Sequence, residues 1–185
     1  QAQGISLAAA GFPVLGARTS PGTAEGGDMT WLDSRTLAIG HGYRTNAQGI
    51  EQLRTLLAGV IDDLVVVPLP HWRGVNDVMH LMSLFSPVDS SVALVYSPLL
   101  PVAFRSLLLD RGLRLVEVPD DEFDSMAANV LAIAPGTVVA LRGNRRTREA
   151  LEHAGIEVLE YDGLEISVKG AGGPTCLTRP LLRLP

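Results

Sequence analysis

A single cysteine in 185 residues excludes any disulfide within the chain, and the four histidines do not group with it at the spacing of a structural zinc site. Cohesion therefore has to come from an apolar core. With 46% apolar residues the chain can bury one, and its length asks for no more than a single domain over 1–185. Long apolar runs are missing as well. The stretches 64–69 and 91–100 are too short, or too interrupted by proline, to span a bilayer, and no charged-then-apolar leader opens the chain. Runs of basic residues are also lacking: 15 Lys plus Arg stand against 20 Asp plus Glu, for a formal charge of −5. Nothing offers a stripe for phosphate backbones, so nucleic acid is not an expected partner. These absences fit a soluble protein of a reducing cytoplasm that uses no metal or cofactor. The mild acidity suits a cationic ligand, but it suits an ordinary solvated surface equally well.

What the sequence does contain is a repeat. One unit recurs: strand, turn, strand, amphipathic helix, closing strand. The first copy has a strand pair over 29–40, a helix over about 46–59 and a strand over 64–68. In its helix Ile50, Leu53, Leu56 and Leu57 share one face, while Glu51, Gln52 and Arg54 face away. The second copy places strands over 81–85 and 91–96, a proline-led helix over about 101–110 ended by Gly112, and a strand over 113–118. In the third, strands over 130–134 and 138–141 pair across Pro135-Gly136, followed by a helix over 147–154, Gly155 as its cap, and a strand over 157–161. A fourth copy begins with strands over 165–167 and 176–178. Ahead of the first copy, residues 1–11 read as the last turns of a helix and 12–16 as a strand. A domain seldom starts in that way, so a portion N-terminal to Gln1 is expected to be absent from this chain; the plainer alternative is a short opening helix.

Equivalent points of the four units are Glu25, His80, Asn129 and Cys176, separated by 55, 49 and 47 residues. Such units cannot bury their apolar faces alone. They either stack linearly or close radially, and radial closure would bring polar residues at equivalent strand starts toward one axis. On its own the periodicity supports a general α/β fold with one small mixed sheet per unit.

Several of these residues carry chemistry. A lone cysteine is commonly an inert buried hydrophobe, but Cys176 follows Gly170-Ala171-Gly172-Gly173-Pro174-Thr175. Neither helix nor strand needs that glycine density, which lets backbone amides approach a ligand. A thiolate there would be a nucleophile if a base or positive surroundings supported it. His80 is the best base, because His41, His71 and His153 fall in segments that read as loop or exposed helix. Glu25-Gly26-Gly27-Asp28 puts two carboxylates around a diglycine. They can simply close a turn, or Glu25 can point at the axis and hold a flat cation through charge-assisted hydrogen bonds.

Glu25-Gly26-Gly27-Asp28, Arg44-Thr45-Asn46, His80-Leu81 and Gly172-Gly173-Pro174-Thr175-Cys176, in this order and at these intervals, resemble the guanidino-modifying superfamily. That group includes arginine deiminase, dimethylarginine dimethylaminohydrolase and glycine amidinotransferase. The resemblance spans nearly the whole chain. It implies a pentein-like α/β-propeller of ββαβ units, here lacking its N-terminal blades. It also implies hydrolysis of the guanidino group of arginine or a substituted arginine to a ureido product such as citrulline. In that reading the Cys176 thiolate attacks the guanidinium carbon to give a covalent thiouronium, and His80 protonates the departing amine and then activates water. Glu25 holds substrate nitrogens, Arg44 holds a substrate carboxylate and Asp28 also binds substrate, while Asn129 is architectural.

Arg44 has a plainer reading, a salt bridge at the helix entry. Two features depart from the family. Met82 stands where arginine deiminases and amidinotransferases carry a second carboxylate after the histidine, and where the dimethylarginine enzymes carry lysine. No aspartate precedes Glu25 to grip the guanidinium from an earlier blade. The partners implied are a small guanidino compound, another chain if one supplies the missing N-terminal segment, and a second copy in a homodimer. The alternatives kept open are an amidinotransferase sharing the intermediate and a non-catalytic binding propeller like the ribosome anti-association factor.

Overall fold

Each of the three full repeats folds into a three-stranded sheet whose first pair is antiparallel and whose second is parallel. The structure is a computed structural model and describes residues 2–77, 79–178 and 180. Helix α1 (Ala2–Ala9) leads in. Unit one comprises β1 (Met29–Trp31), β2 (Thr36–His41), α2 (Ala47–Leu56) and β3 (Asp63–Pro68). Unit two comprises β4 (Phe85–Pro87), β5 (Val92–Val95), α3 (Val102–Asp110) and β6 (Arg114–Glu117), followed by a four-residue helix α4 (Asp120–Phe123). Unit three comprises β7 (Leu131–Ala134), β8 (Thr137–Leu141), α5 (Arg145–His153) and β9 (Glu157–Tyr161). The parallel pairing requires a crossover in every unit, and the amphipathic helix supplies it.

The alternation of β2 explains how neighbouring units adhere. Leu37 and Ile39 pack with Ile50 of α2 and Leu64 in a small cluster. On the opposite face Ala38 joins Val67 in a larger cluster with Leu81, Leu84 and Phe85 of unit two and Val130, Val138 and Leu151 of unit three. A strand with side chains alternating between two buried faces reads as continuously apolar, as β2 and β5 do. Polar ties run along the same seams: Arg111 pairs with Asp33, Ser86 donates to the Ala128 carbonyl at 2.8 Å, and the Gly136 amide donates to the Val88 carbonyl at 3.2 Å. Units one, two and three thus dock in sequence order. Gly112 and Gly155 end α3 and α5 at φ +80° and +86°, where a side chain would be strained.

Several expectations are corrected. No strand forms over 12–16. A 3-10 turn (Leu81–Ser83) occupies most of the strand expected over 81–85, since the Ser83 and Leu84 amides bond back to His80 and Leu81. His41 ends β2 rather than lying in a loop. Helix α2 stops at Leu56, and α5 begins two residues ahead of the expected start at 147. The fourth unit's strands do not form among the described residues. Residues 164–168 wind into a π-helical turn, with the Ser167 and Val168 amides on the Gly163 carbonyl. Residues 174–177 turn as well, with the Cys176 amide on the Gly173 carbonyl at 3.1 Å. A three-residue alternation that finds no strand to pair with among the described residues loses to local hydrogen bonding. Among the described residues no helix is long and apolar enough to cross a membrane.

Candidate active site

Three of the candidate residues sit at the same point of their units, just before the first strand. Glu25 precedes a 3-10 turn (Gly26–Asp28) that feeds β1, His80 precedes the turn that feeds β4, and Asn129 precedes β7. Sequential docking brings the first two together. His80 Nε2 lies 2.7 Å from Glu25 Oε2, and the imidazole rests on Gly27, where a Cβ would come within 2.7 Å of His80 Cγ and 2.8 Å of Nδ1. Gly27 is needed for this approach. Only a residue without a side chain lets the turn carry Glu25 past the ring.

The Arg44-Thr45-Asn46 segment fastens the other side. Arg44 Nε and a terminal nitrogen both reach Glu25 Oε1 at 2.9 Å, making a two-pronged contact with one oxygen. Thr45 Oγ1 accepts from the Glu25 amide at 3.1 Å and donates to Asp28 Oδ2 at 2.6 Å. Asn46 Oδ1 accepts from the amides of Thr23 at 3.0 Å and Gly49 at 2.8 Å, so it caps α2 while anchoring the extended segment that leads to Glu25. Sequence reasoning singled out Arg44; it missed Thr45, whose place between two motif residues was the available signal.

Asp28 does not face a ligand, which corrects its expected part in substrate binding. It is fully buried, and its second oxygen, Oδ1, accepts from the Leu81 amide at 3.0 Å. Both oxygens are thus taken by the framework, and through Leu81 the carboxylate sets the backbone beside His80. Burial pushes the Asp28 carboxyl above the usual aspartate range, and the Thr45 and Leu81 hydrogen bonds only partly offset that. At Glu25 the balance is reversed. Burial raises its pKa, but hydrogen bonds and charge from Arg44 and His80 outweigh that, and the carboxyl lies below the usual glutamate range. The site therefore holds an ionised carboxylate that already binds one guanidinium, that of Arg44. Arg44 is half-exposed and engaged with Glu25.

Cys176 is exposed, and its sulfur is bonded to Asn129 rather than to the imidazole: Asn129 Nδ2 lies 3.4 Å from Sγ. Among the described residues no group of His, Cys, Asp and Glu could hold a metal ion.

Residues 7–103 and 97–183 match the model of a family described as arginine deiminase. The uncharacterized protein YkgA of Bacillus subtilis is 33% identical over 159 residues, covering 86% of this chain and 52% of that protein. Arginine deiminase of Mycobacterium avium is 32% identical over 201 residues, 91% of this chain and 48% of that protein. The chain spans about half the length of the curated relatives it matches. Among solved structures, a mutant of DDAH from Pseudomonas aeruginosa complexed with citrulline aligns at TM-score 0.69 and 27% identity over 85% of this chain and 56% of that one. The product-bound N-terminal domain of ArgZ, a cyanobacterial arginine dihydrolase, shares the fold at TM-score 0.79 and 22% identity over 97% of this chain and 65% of that one.

Proposed function

This chain belongs to the arginine deiminase family, and on that premise we propose that it hydrolyses the guanidino group of arginine or a substituted arginine, giving a ureido product such as citrulline. The observation that carries this reading is the pair Glu25–His80 at 2.7 Å with a guanidinium seated on the same carboxylate. A carboxylate that holds the Arg44 fork has the charge and shape to hold a substrate's. The substrate guanidinium takes the place of Arg44 on Glu25, and the freed Arg44 fork holds the substrate carboxylate. Similarity to DDAH and to arginine deiminases supports the reaction class.

In the reaction the Cys176 thiolate attacks the central guanidinium carbon, forming a C–S bond. The bond from that carbon to one nitrogen breaks, and the amine leaves with a proton from His80. A thiouronium remains. Water, losing a proton to His80, attacks the same carbon; the C–S bond breaks, the thiolate is restored and the ureido product departs. Glu25 holds the cationic nitrogens throughout, and Asp28 positions the His80 backbone from beneath. The sequential docking of the units and the shared placement of Glu25, His80 and Asn129 support reading them as successive blades of an α/β-propeller.

The test is release of ureido product from a panel of arginine, methylated arginines and agmatine. Cys176→Ala is expected to abolish it, and turnover surviving that change rejects the proposal. Product that forms only after an amine is added would make the enzyme a transferase. A cationic haloacetamidine should alkylate Cys176 far faster than a neutral haloacetamide, because Glu25 would concentrate it beside the sulfur; equal rates would indicate a binding protein without this chemistry.

A further inference from the structure

Asn129 is a buried side chain, 8% exposed, whose amide oxygen and nitrogen both bond to the segment that carries Cys176. Its Oδ1 accepts from the Thr175 amide at 3.1 Å and from Thr175 Oγ1 at 2.8 Å. Its Nδ2 donates to the Cys176 sulfur at 3.4 Å. The loop in turn closes onto Asn129, since a Cβ on Gly173 would lie 2.5 Å from both its Cγ and its Oδ1.

Few side chains satisfy these demands together. The position needs an acceptor for two donors and, one bond away, a donor for sulfur. Aspartate lacks the donor. Serine and threonine lack the second arm, and glutamine places both arms one methylene too far out. An amide N–H aimed at sulfur also fixes the direction in which its lone pairs point.

We propose that Asn129 is the positioning residue of the nucleophile, holding the Cys176 sulfur in one orientation through Nδ2, with Gly173 present because no larger residue lets the loop reach Asn129. This rests on the reading of Cys176 as nucleophile, and it replaces the purely architectural part expected of Asn129.

Cys176 is the only cysteine in the chain, so iodoacetamide reports on one sulfur. The experiment compares the rate of alkylation against pH for the full chain and for Asn129→Ala, Asn129→Asp, Gly173→Ala and Thr175→Val, with a thermal melt of each. Asn129→Ala should lower the profile about tenfold at every pH, the effect of one lost hydrogen bond to the attacking sulfur. Gly173→Ala should move it in the same direction. Asn129→Asp keeps both contacts to Thr175 but sets a carboxylate against sulfur, and should move it further; it differs least in shape and remains informative if the alanine variant unfolds. Thr175→Val removes one tie of the loop and leaves the donor to sulfur, so its profile should stay in place. Unmoved profiles in both Asn129 variants overturn the proposal. So does a Thr175→Val profile displaced as far as that of Asn129→Ala, because loop order alone would then explain both. These outcomes are separate from the catalytic reading, since turnover by Cys176→Ala would reject that reading while leaving the alkylation profiles as they are.

Discussion

Glu25 and Asp28 stand three residues apart in one turn, yet their carboxylates meet opposite environments. Folding lowers the pKa of Glu25, because Arg44 and His80 more than reverse the effect of burial. Its contribution to stability is therefore complete above the ordinary glutamate value and is lost as pH falls through the lower folded value. Folding raises the pKa of Asp28, where burial dominates. That contribution is greatest below the ordinary aspartate value and is lost as pH rises through the folded one. Urea unfolding midpoints measured across the acid range should then respond in opposite ways. Glu25→Gln should flatten the acid loss of stability, whereas Asp28→Asn should make stability climb more steeply with pH. Curves parallel to that of the unsubstituted chain would show that neither carboxylate is coupled to folding as the geometry indicates. The sequence made both residues visible through their diglycine, but it could not say which one turns inward. That choice is made by the Leu81 amide, 53 residues away, and no local pattern encodes it.

The same contrast between local and distant causes runs through the elements. The helices α2, α3 and α5 were legible because apolar spacing and glycine stops are local signals. The turn at 164–168 was not, because a short alternation of polar and apolar residues becomes a strand only when another strand pairs with it. Equally hidden was the cap of α5. Asn144, the residue at its N-terminal boundary, makes no capping bond to the helix; instead Glu122, in α4, accepts from the amides of Arg146 and Thr147, each at 2.8 Å, and from Thr147 Oγ1 at 2.6 Å. A buried carboxylate on the first-turn amides satisfies donors that the helix cannot, and its charge complements the helix dipole. Glu122→Ala should cost about 1–2 kcal/mol, the range for losing a cap whose donors stay buried. Urea unfolding would read the cost, and an unchanged midpoint would mean that water or another side chain caps α5 equally well.

At the scale of the molecule the repeat was visible in the sequence, whereas the way its copies share a core was not. A linear array of self-sufficient units would bury each copy against its own helix and leave neighbours coupled only at their borders. Here the larger cluster draws Ala38 and Val67 from unit one into the same packing as Phe85 and Phe104 of unit two and Val138 and Leu151 of unit three. Phe85 and Phe104, both buried in that shared interior, meet edge to face with centroids 5.3 Å apart. Cutting one unit out would expose apolar faces of the next, so partial unfolding is costly and the chain should unfold in one transition. Both tryptophans, Trp31 and Trp72, lie in the first 72 residues. Their fluorescence therefore follows unit one and its approach to unit two, while far-ultraviolet circular dichroism follows all three sheets and their helices. The two signals should trace coincident urea transitions, and Phe85→Ala should shift both together by about 3–5 kcal/mol of lost stability. A fluorescence transition that separates from the dichroism, or a Phe85→Ala shift confined to one signal, would show that unit one folds independently, and the joint placement of Glu25 and His80 would then depend on a border contact rather than on a common core.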